Sequence, residues 1–172
     1  MKGAEVVYTI LKYGNEALRA RAKDVPEVNE EMRTILKEMA ETMKASNGVG
    51  LAAPQVGFPL RMFVCYTEED VVKMVVNPVI TPLTTELMEF VEGCLSVPGV
   101  YKNVKRPGKI RLEFLDEKGR PQSMVLEGFR AVIAQHEYDH LEGVLFVDKI
   151  SPVAKRMIRK KLSQIKKAAS ET

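Results

Sequence analysis

Two histidines occur in the whole chain, and they stand four residues apart in Gln135-His136-Glu137-Tyr138-Asp139-His140-Leu141. On a helix, positions i and i+4 share a face one turn apart, so His136 and His140 can hold one metal ion. Glu137 lies about 100° further round the helix. There its carboxylate can reach a water on that ion and serve as general base. The pattern is His-Glu-x-x-His, two imidazole ligands plus a base. The plain alternative is an amphipathic helix with two solvent-facing imidazoles among acids.

A catalytic site of this kind keeps three protein ligands and leaves a position open for water. The chain has no third histidine. After His140 the acids are Glu142, Asp148 and Glu171, none placed as the downstream glutamate of a thermolysin-type site would be. Cysteine remains, as Cys65 or Cys94. Cys65 sits in the apolar, strand-like Arg61-Met62-Phe63-Val64-Cys65-Tyr66, where a small buried thiol is the simpler reading. Cys94 sits in Glu92-Gly93-Cys94-Leu95-Ser96, behind a glycine that lets backbone approach a ligand closely. Cys94 is therefore the expected third ligand.

The elements around these residues read as follows. Residues 5–11 lean towards β structure, and Asn15 can cap a short helix through Ala17, Leu18 and Ala22 that Pro26 ends. Asn29 caps a long helix to about residue 46. Met32, Ile35, Leu36, Met39, Ala40 and Met43 form its apolar face, and Asn47-Gly48 stops it. The small residues of Gly48-Val49-Gly50-Leu51-Ala52-Ala53-Pro54-Gln55-Val56-Gly57 bring the backbone close to packed neighbours or to a ligand. Their spacing fits no phosphate-binding loop. Gln55 is a polar amide among them, either an ordinary backbone-bonding side chain or a functional one. Strands are expected at 61–66, 71–77, 86–92, 101–105, 109–116 and 122–127, paired mainly antiparallel, with a hairpin turn at Asp116-Glu117-Lys118-Gly119-Arg120. A helix from Gly128 to about Glu142 carries the histidines, with Phe129, Val132, Ile133, His136 and His140 on one face turned to the core. Ser151-Pro152 opens a last helix to about residue 169, with Ala154, Met157, Ile158, Leu162, Ile165 and Ala169 as its apolar stripe.

With 172 residues and no linker, repeat or low-complexity stretch, the chain is expected to form one domain over 1–172. A net charge of +3 is too small to imply nucleic-acid binding by the body of the protein. No apolar run approaches a membrane span. The first residues lack a secretory h-region, so a reducing, cytoplasmic setting is expected, in which a ligating thiolate survives. Charge is concentrated in one place. Lys155, Arg156, Arg159, Lys160, Lys161, Lys166 and Lys167 lie in 151–170 with no acid among them. They form either the solvated face of a docked helix or a contact for an anionic partner such as RNA.

Three motifs stand in order along the chain. They are Gly48-Val49-Gly50-Leu51-Ala52-Ala53-Pro54-Gln55, Glu92-Gly93-Cys94-Leu95-Ser96 and Gln135-His136-Glu137-Tyr138-Asp139-His140. Together they resemble bacterial-type peptide deformylase, the family that removes the formyl group from N-formylmethionine on new polypeptides. The likeness spans nearly the whole chain. It implies an α+β fold of mainly antiparallel sheets packed around a central metal-binding helix, with a long N-terminal helix and a C-terminal helix. It implies that Cys94, His136 and His140 hold Fe(II) in the cell, with Zn(II), Ni(II) or Co(II) admissible in isolated protein. Intrinsic affinity favours zinc over ferrous iron, so iron occupancy would reflect availability and geometry. It implies that Gln55 and the backbone N–H of Leu95 donate to the formyl oxygen while Glu137 moves the proton. Gly50 and Gly93 would let the peptide lie alongside as an added strand, and Val49 would line the methionine pocket. Val132 and Ile133, one turn before His136, are placed to line the same pocket. The setting also makes ribosome contact through the basic last helix more attractive. One departure stands out. Many members follow the second motif with Pro-Glu and an arginine two residues on, whereas this chain has Val97-Pro98-Gly99-Val100-Tyr101. Two rivals use the same residues: a metallo-endopeptidase, and a metal-stabilised RNA- or ribosome-binding module.

Overall fold

The computed structural model describes residue 5 and residues 7–172. Residue 6 of the expected β-leaning stretch 5–11, and residues 1–4 before it, lie outside the described residues. Residues 7–12 form no strand. Val7 and Tyr8 donate their N–H groups to Thr42 Oγ1 at 3.0 and 3.2 Å, and Leu11 N–H donates to Gln55 C=O at 2.7 Å, with Tyr13 N–H to Ser96 C=O at 2.8 Å just beyond. The expected short helix after Asn15 is a single 3-10 turn, Glu16–Leu18, because Ala22 is drawn away to donate its N–H to Leu141 C=O at 2.9 Å.

Helix α1 (Glu30–Ala45) begins where Asn29 accepts from Met32 N–H, and it buries Ile35, Leu36, Met39, Ala40 and Met43. Asn47 adopts φ 56° beyond its end, the left-handed conformation that closes a helix. The chain then enters β1 (Gly50–Ala52), a three-residue strand, and a 3-10 turn Ala53–Val56. Strands β2 (Met62–Glu68), β3 (Val71–Pro82), β6 (Lys109–Leu115) and β7 (Pro121–Glu127) complete a five-stranded sheet of order β1-β2-β3-β6-β7, each neighbour antiparallel. A second sheet is the hairpin of β4 (Leu87–Cys94) and β5 (Val97–Pro107).

Two strands are longer than expected. β3 continues past residue 77 through a bulge, with Asn77 at φ 49°. β5 begins at Val97 because Val97, Val100 and Val104 all turn into one core cluster, so the Pro98-Gly99 pair is absorbed into the strand as an irregularity.

Helix α2 (Phe129–Leu141) touches strands of both sheets. The expected single apolar face is too narrow a description. Phe129 is 46% exposed, whereas Ala131, Ala134, Gln135, Glu137 and Leu141 are buried on other sides. A helix buried nearly all round loses its amphipathic signature. The last helix is two pieces, α3 (Pro152–Met157) and α4 (Arg159–Ser170), with Ser151 Oγ accepting from Ala154 N–H at the start. Of the expected stripe, Ile158, Leu162 and Ile165 are buried and Met157 is 71% exposed. The break at Ile158 rotates the first piece so that Met157 turns outward. No helix among the described residues is long and apolar enough to cross a membrane.

The β3 bulge is held by one side chain. Asn77 Oδ1 accepts from Val25 N–H at 2.8 Å and Nδ2 donates to Val25 C=O at 2.9 Å. Asn77→Ala strands both Val25 groups and places alanine at positive φ, so it is expected to cost about 1–3 kcal/mol. The check is a lower urea midpoint with an unchanged slope.

Candidate metal centre and catalytic cavity

β4 ends at Cys94, and α2 carries His136 and His140 one turn apart. The Cys94 sulfur and one ring nitrogen of each histidine lie within 4.8 Å of one another. Sγ is 3.4 Å from His140 Nε2. Among the described residues this is the one group of three His, Cys, Asp or Glu atoms that could hold an ion. Cys65, on β2 and fully buried, is not part of it. Burial holds its thiol far above the ordinary range, with Glu137 adding to the effect, so it stays neutral.

His136 is aimed by a network that extends away from the cluster. Its Nδ1 lies 2.8 Å from Glu92 Oε1, which leaves Nε2 for a ligand. Glu92 in turn accepts from Arg106 Nε at 2.7 Å and Nη2 at 3.0 Å. Arg106 Nη1 donates to Asp139 at 2.7 Å, and Lys149 pairs with the same Asp139 oxygen at 3.3 Å. His136 also stacks on Phe146, ring centroids 5.9 Å apart. Burial works against a charged His136, but Cys94 and Glu92 hold its pKa well above the ordinary value. His140 is pushed the other way, by burial first and then by His136. A ligating imidazole is neutral, so ion binding here releases a proton.

Glu137 is buried, and its Oε2 has no hydrogen-bond partner. Burial raises its pKa to about 7, with His136 opposing and Glu92 reinforcing. A carboxyl poised there can exchange a proton near neutral pH. A Cβ added to Gly50 would come 2.5 Å from Glu137 Oε1, so glycine at 50 is what lets this carboxylate sit against β1. A Cβ on Gly93 would come 2.6 Å from the Tyr101 ring. Both glycines are thus required by neighbours within the fold.

Gln55 has both readings at once. Its Oε1 accepts from Ala52 N–H at 2.9 Å, which orients the amide. Its Nε2 donates to Ser96 Oγ at 3.0 Å and faces Cys94 Sγ at 3.5 Å. The carbonyl side is structural, and the amino side is presented to the cluster.

A cavity of about 510 Å³ opens over these groups. Val49, Gly50, Gly93, Val132 and Ile133 all line it, together with Gln55, Cys94, Leu95, His136 and Glu137. Val49 is 46% exposed and stands at the rim, whereas Val132 and Ile133 are buried. His140 does not form part of the wall. Lys12 does, donating from Nζ to Leu95 C=O at 3.1 Å. Burial lowers its pKa, against the pull of Cys94.

A thiolate and two imidazoles with an open coordination side suit a divalent ion, and an unpartnered buried carboxylate alongside suits a reacting water. The donor set fits the expected metal. Sequence reasoning named no role for Glu92, Ser96, Arg106, Asp139 or Lys12. One signal was available. Val100, Val104 and Arg106 are alternate or next-alternate residues of β5, so the strand period places an arginine on the buried face, where it requires a carboxylate.

A family model described as polypeptide deformylase matches residues 7–156. A peptide deformylase of Fusobacterium nucleatum is 53% identical over 164 residues, covering 94% of this chain and 94% of the relative. One of Azotobacter vinelandii is 45% identical over 160 residues, covering 92% and 95%. Among solved structures, a peptide deformylase from Thermus thermophilus aligns with a TM-score of 0.89 at 40% identity, over 95% of this chain and 99% of that one. One from Synechococcus elongatus in complex with actinonin aligns with a TM-score of 0.86 at 39% identity, over 94% and 89%.

Glu92→Ala leaves Arg106 half-paired in the interior and His136 Nδ1 without its acceptor. It is expected to cost about 3–5 kcal/mol in denaturant unfolding. Metal affinity, read by chelator competition, should fall about 10–100-fold.

Proposed function

The chain belongs to the peptide deformylase family, and on that premise we propose that Cys94, His136 and His140 hold its divalent ion and that Glu137 moves the proton. The reaction is hydrolysis of the formamide at the N-terminal formylmethionine of newly made polypeptides, and the enzyme is a metal-dependent hydrolase. The observation that carries the residue assignment is the convergence of one sulfur and two imidazoles within 4.8 Å beside the unpartnered Glu137 carboxylate. We take residues 1–172 as one catalytic domain.

When bound, the ion polarises the formyl carbonyl and makes a water acidic enough to attack near neutral pH. Glu137 takes the proton of the attacking water and returns it to the amine nitrogen as the C–N bond breaks, so formate and a free methionyl amine leave. Gln55 Nε2, oriented by Ala52 N–H, and the Leu95 N–H donate to the oxygen that gains charge. Loss of one such donor typically lowers kcat about 10²–10³-fold. Val132 and Ile133 form the buried wall for the methionine side chain, with Val49 closing over it at the rim. Gly50 and Gly93 admit the peptide backbone between β1 and β4 as an added strand. Fe(II) is the proposed cellular ion, and the cytoplasm the proposed compartment. A purely structural metal site would need a fourth protein ligand, and Cys65 stands outside the cluster.

The basic C-terminal segment is proposed to meet the ribosome. All seven of its lysines and arginines are exposed, and a groove of about 420 Å³ is lined by Tyr13, Lys155, Arg156, Arg159 and Lys166.

Two experiments test this reading. Protein prepared anaerobically with Fe(II) is expected to release amine from formyl-Met-Ala-Ser and not from an acetyl-Met control. Glu137→Ala should keep the ion and lose turnover, and Cys94→Ala should lose the ion; unchanged metal content in the latter would remove Cys94 from the ligand set. Deleting 151–172 would strip Ile158, Leu162 and Ile165 from the core. Charge reversal of exposed Arg156, Arg159 and Lys160 to glutamate is the cleaner probe. It should weaken cosedimentation with ribosomes at low salt, and undiminished binding would discard the contact.

A further inference from the structure

The mechanism leaves the outer end of the cavity, at the exposed Pro98 and Gly99, without a role. Two ammonium groups flank the cavity, one in its wall and one beside Gly99. Lys12 is the only lysine or arginine among the residues lining the cavity. Its bond to the Leu95 carbonyl uses one of its three donors. Lys161 extends from α4 over Gly99, its Nζ 3.6 Å from where a Cβ on that glycine would sit. Among the described residues neither has a carboxylate partner. Gly99, lacking a side chain, offers them none.

The two acids that line the cavity, Glu92 and Glu137, are buried at its inner end. Glu92 is already committed to Arg106 and His136. The cavity wall thus holds two buried carboxylates, and the cations beside it are the half-buried Lys12 in the wall and the exposed Lys161 at Gly99, neither paired to a carboxylate among the described residues. The half-buried setting of Lys12 screens its charge less than open solvent would.

We infer that Lys12 and Lys161 form a carboxylate-selecting subsite, favouring aspartate or glutamate just after the formylmethionine and disfavouring lysine or arginine. This rests on the proposed binding of formylmethionyl peptides in the same cavity. With the formyl end at Cys94 and Glu137, the residues that follow leave through the mouth, past these two side chains.

The test is kcat/KM at pH 7 and low salt on formyl-Met-X-Ser-amide with X as Glu, Gln or Lys. The amide end excludes recognition of a terminal carboxylate. The order expected is Glu, Gln, Lys, with about tenfold between the extremes, the scale of one or two partly exposed charge pairs. Reading the Glu-to-Lys ratio within each variant removes general losses of activity. Lys12→Met and Lys161→Met should each narrow the ratio, Lys12→Met with Lys161→Glu should invert it, and about 0.5 M salt should shrink it. Calorimetry with acetyl-Met-X-Ser-amides on the metal-loaded protein reads the same preference without turnover. A wild-type ratio of one or below, or a ratio unaltered when Lys12→Met and Lys161→Glu are combined, would overturn the subsite. Ordered binding of the acetyl peptides with no turnover of any formyl peptide would instead overturn the deformylase reading and leave the subsite standing.

Discussion

Arg106, clasped by Glu92 on one side and Asp139 on the other, is the contact on which the site depends. α2 has to bring two imidazoles and a carboxylate into buried positions. Ionisable groups are costly there unless each is paired or ligated. Arg106 comes from β5, Glu92 from β4 and Asp139 from α2, so a single guanidinium fastens the hairpin to the helix. Through Glu92 it also sets the ring orientation of His136. The same burial that makes the network necessary lifts Glu137 into the range where it can both take and give a proton.

A second constraint is close approach. The cavity lies between the short edge strand β1 and the β4–β5 hairpin, which belong to different sheets. An exposed edge is a liability in most folds because its N–H and C=O groups seek partners. Here the edge borders the reacting groups, where an extended peptide can use it under the proposed function. Gly50 lets Glu137 lie against that edge, and Gly93 lets the Tyr101 ring cover the opposite wall. Side chains at either position would displace the groups that shape the cavity.

The C-terminal helices join packing to charge. Ile158, Leu162 and Ile165 share a core cluster with Val97, Val100 and Val104, and Cys94 packs against it. The segment thus supports the hairpin that carries the sulfur. Every charged residue from 151 to 170 is cationic, and Lys161 brings part of that charge beside Gly99. The docked-helix reading of this segment is in this way met by packing that couples it to the site.

The parts of the site that were legible in the sequence are those set by local spacing. His136, Glu137 and His140 could be read as a unit because one helical turn separates the ligands, and Cys94 because only two thiols exist and one lies in an apolar strand. The face of α1, its caps and most strands followed from periodicity and turn chemistry for the same reason, since short-range sterics govern them. Other features depended on partners distant in the chain. Arg106 found Glu92 across the β4–β5 hairpin, four residues away from its register partner Met88, and Asp139 through docking of α2. Gln55 was oriented by Ala52 yet directed at Cys94, 39 residues away. The extension of β5 through Pro98 and Gly99, and the burial of α2 on nearly every side, came from core packing that no local pattern encodes. Residue types and spacing determined which atoms could do the chemistry. Tertiary structure decided which were desolvated, which were paired and which way they pointed, because burial and long-range hydrogen bonds exist only once separate segments meet.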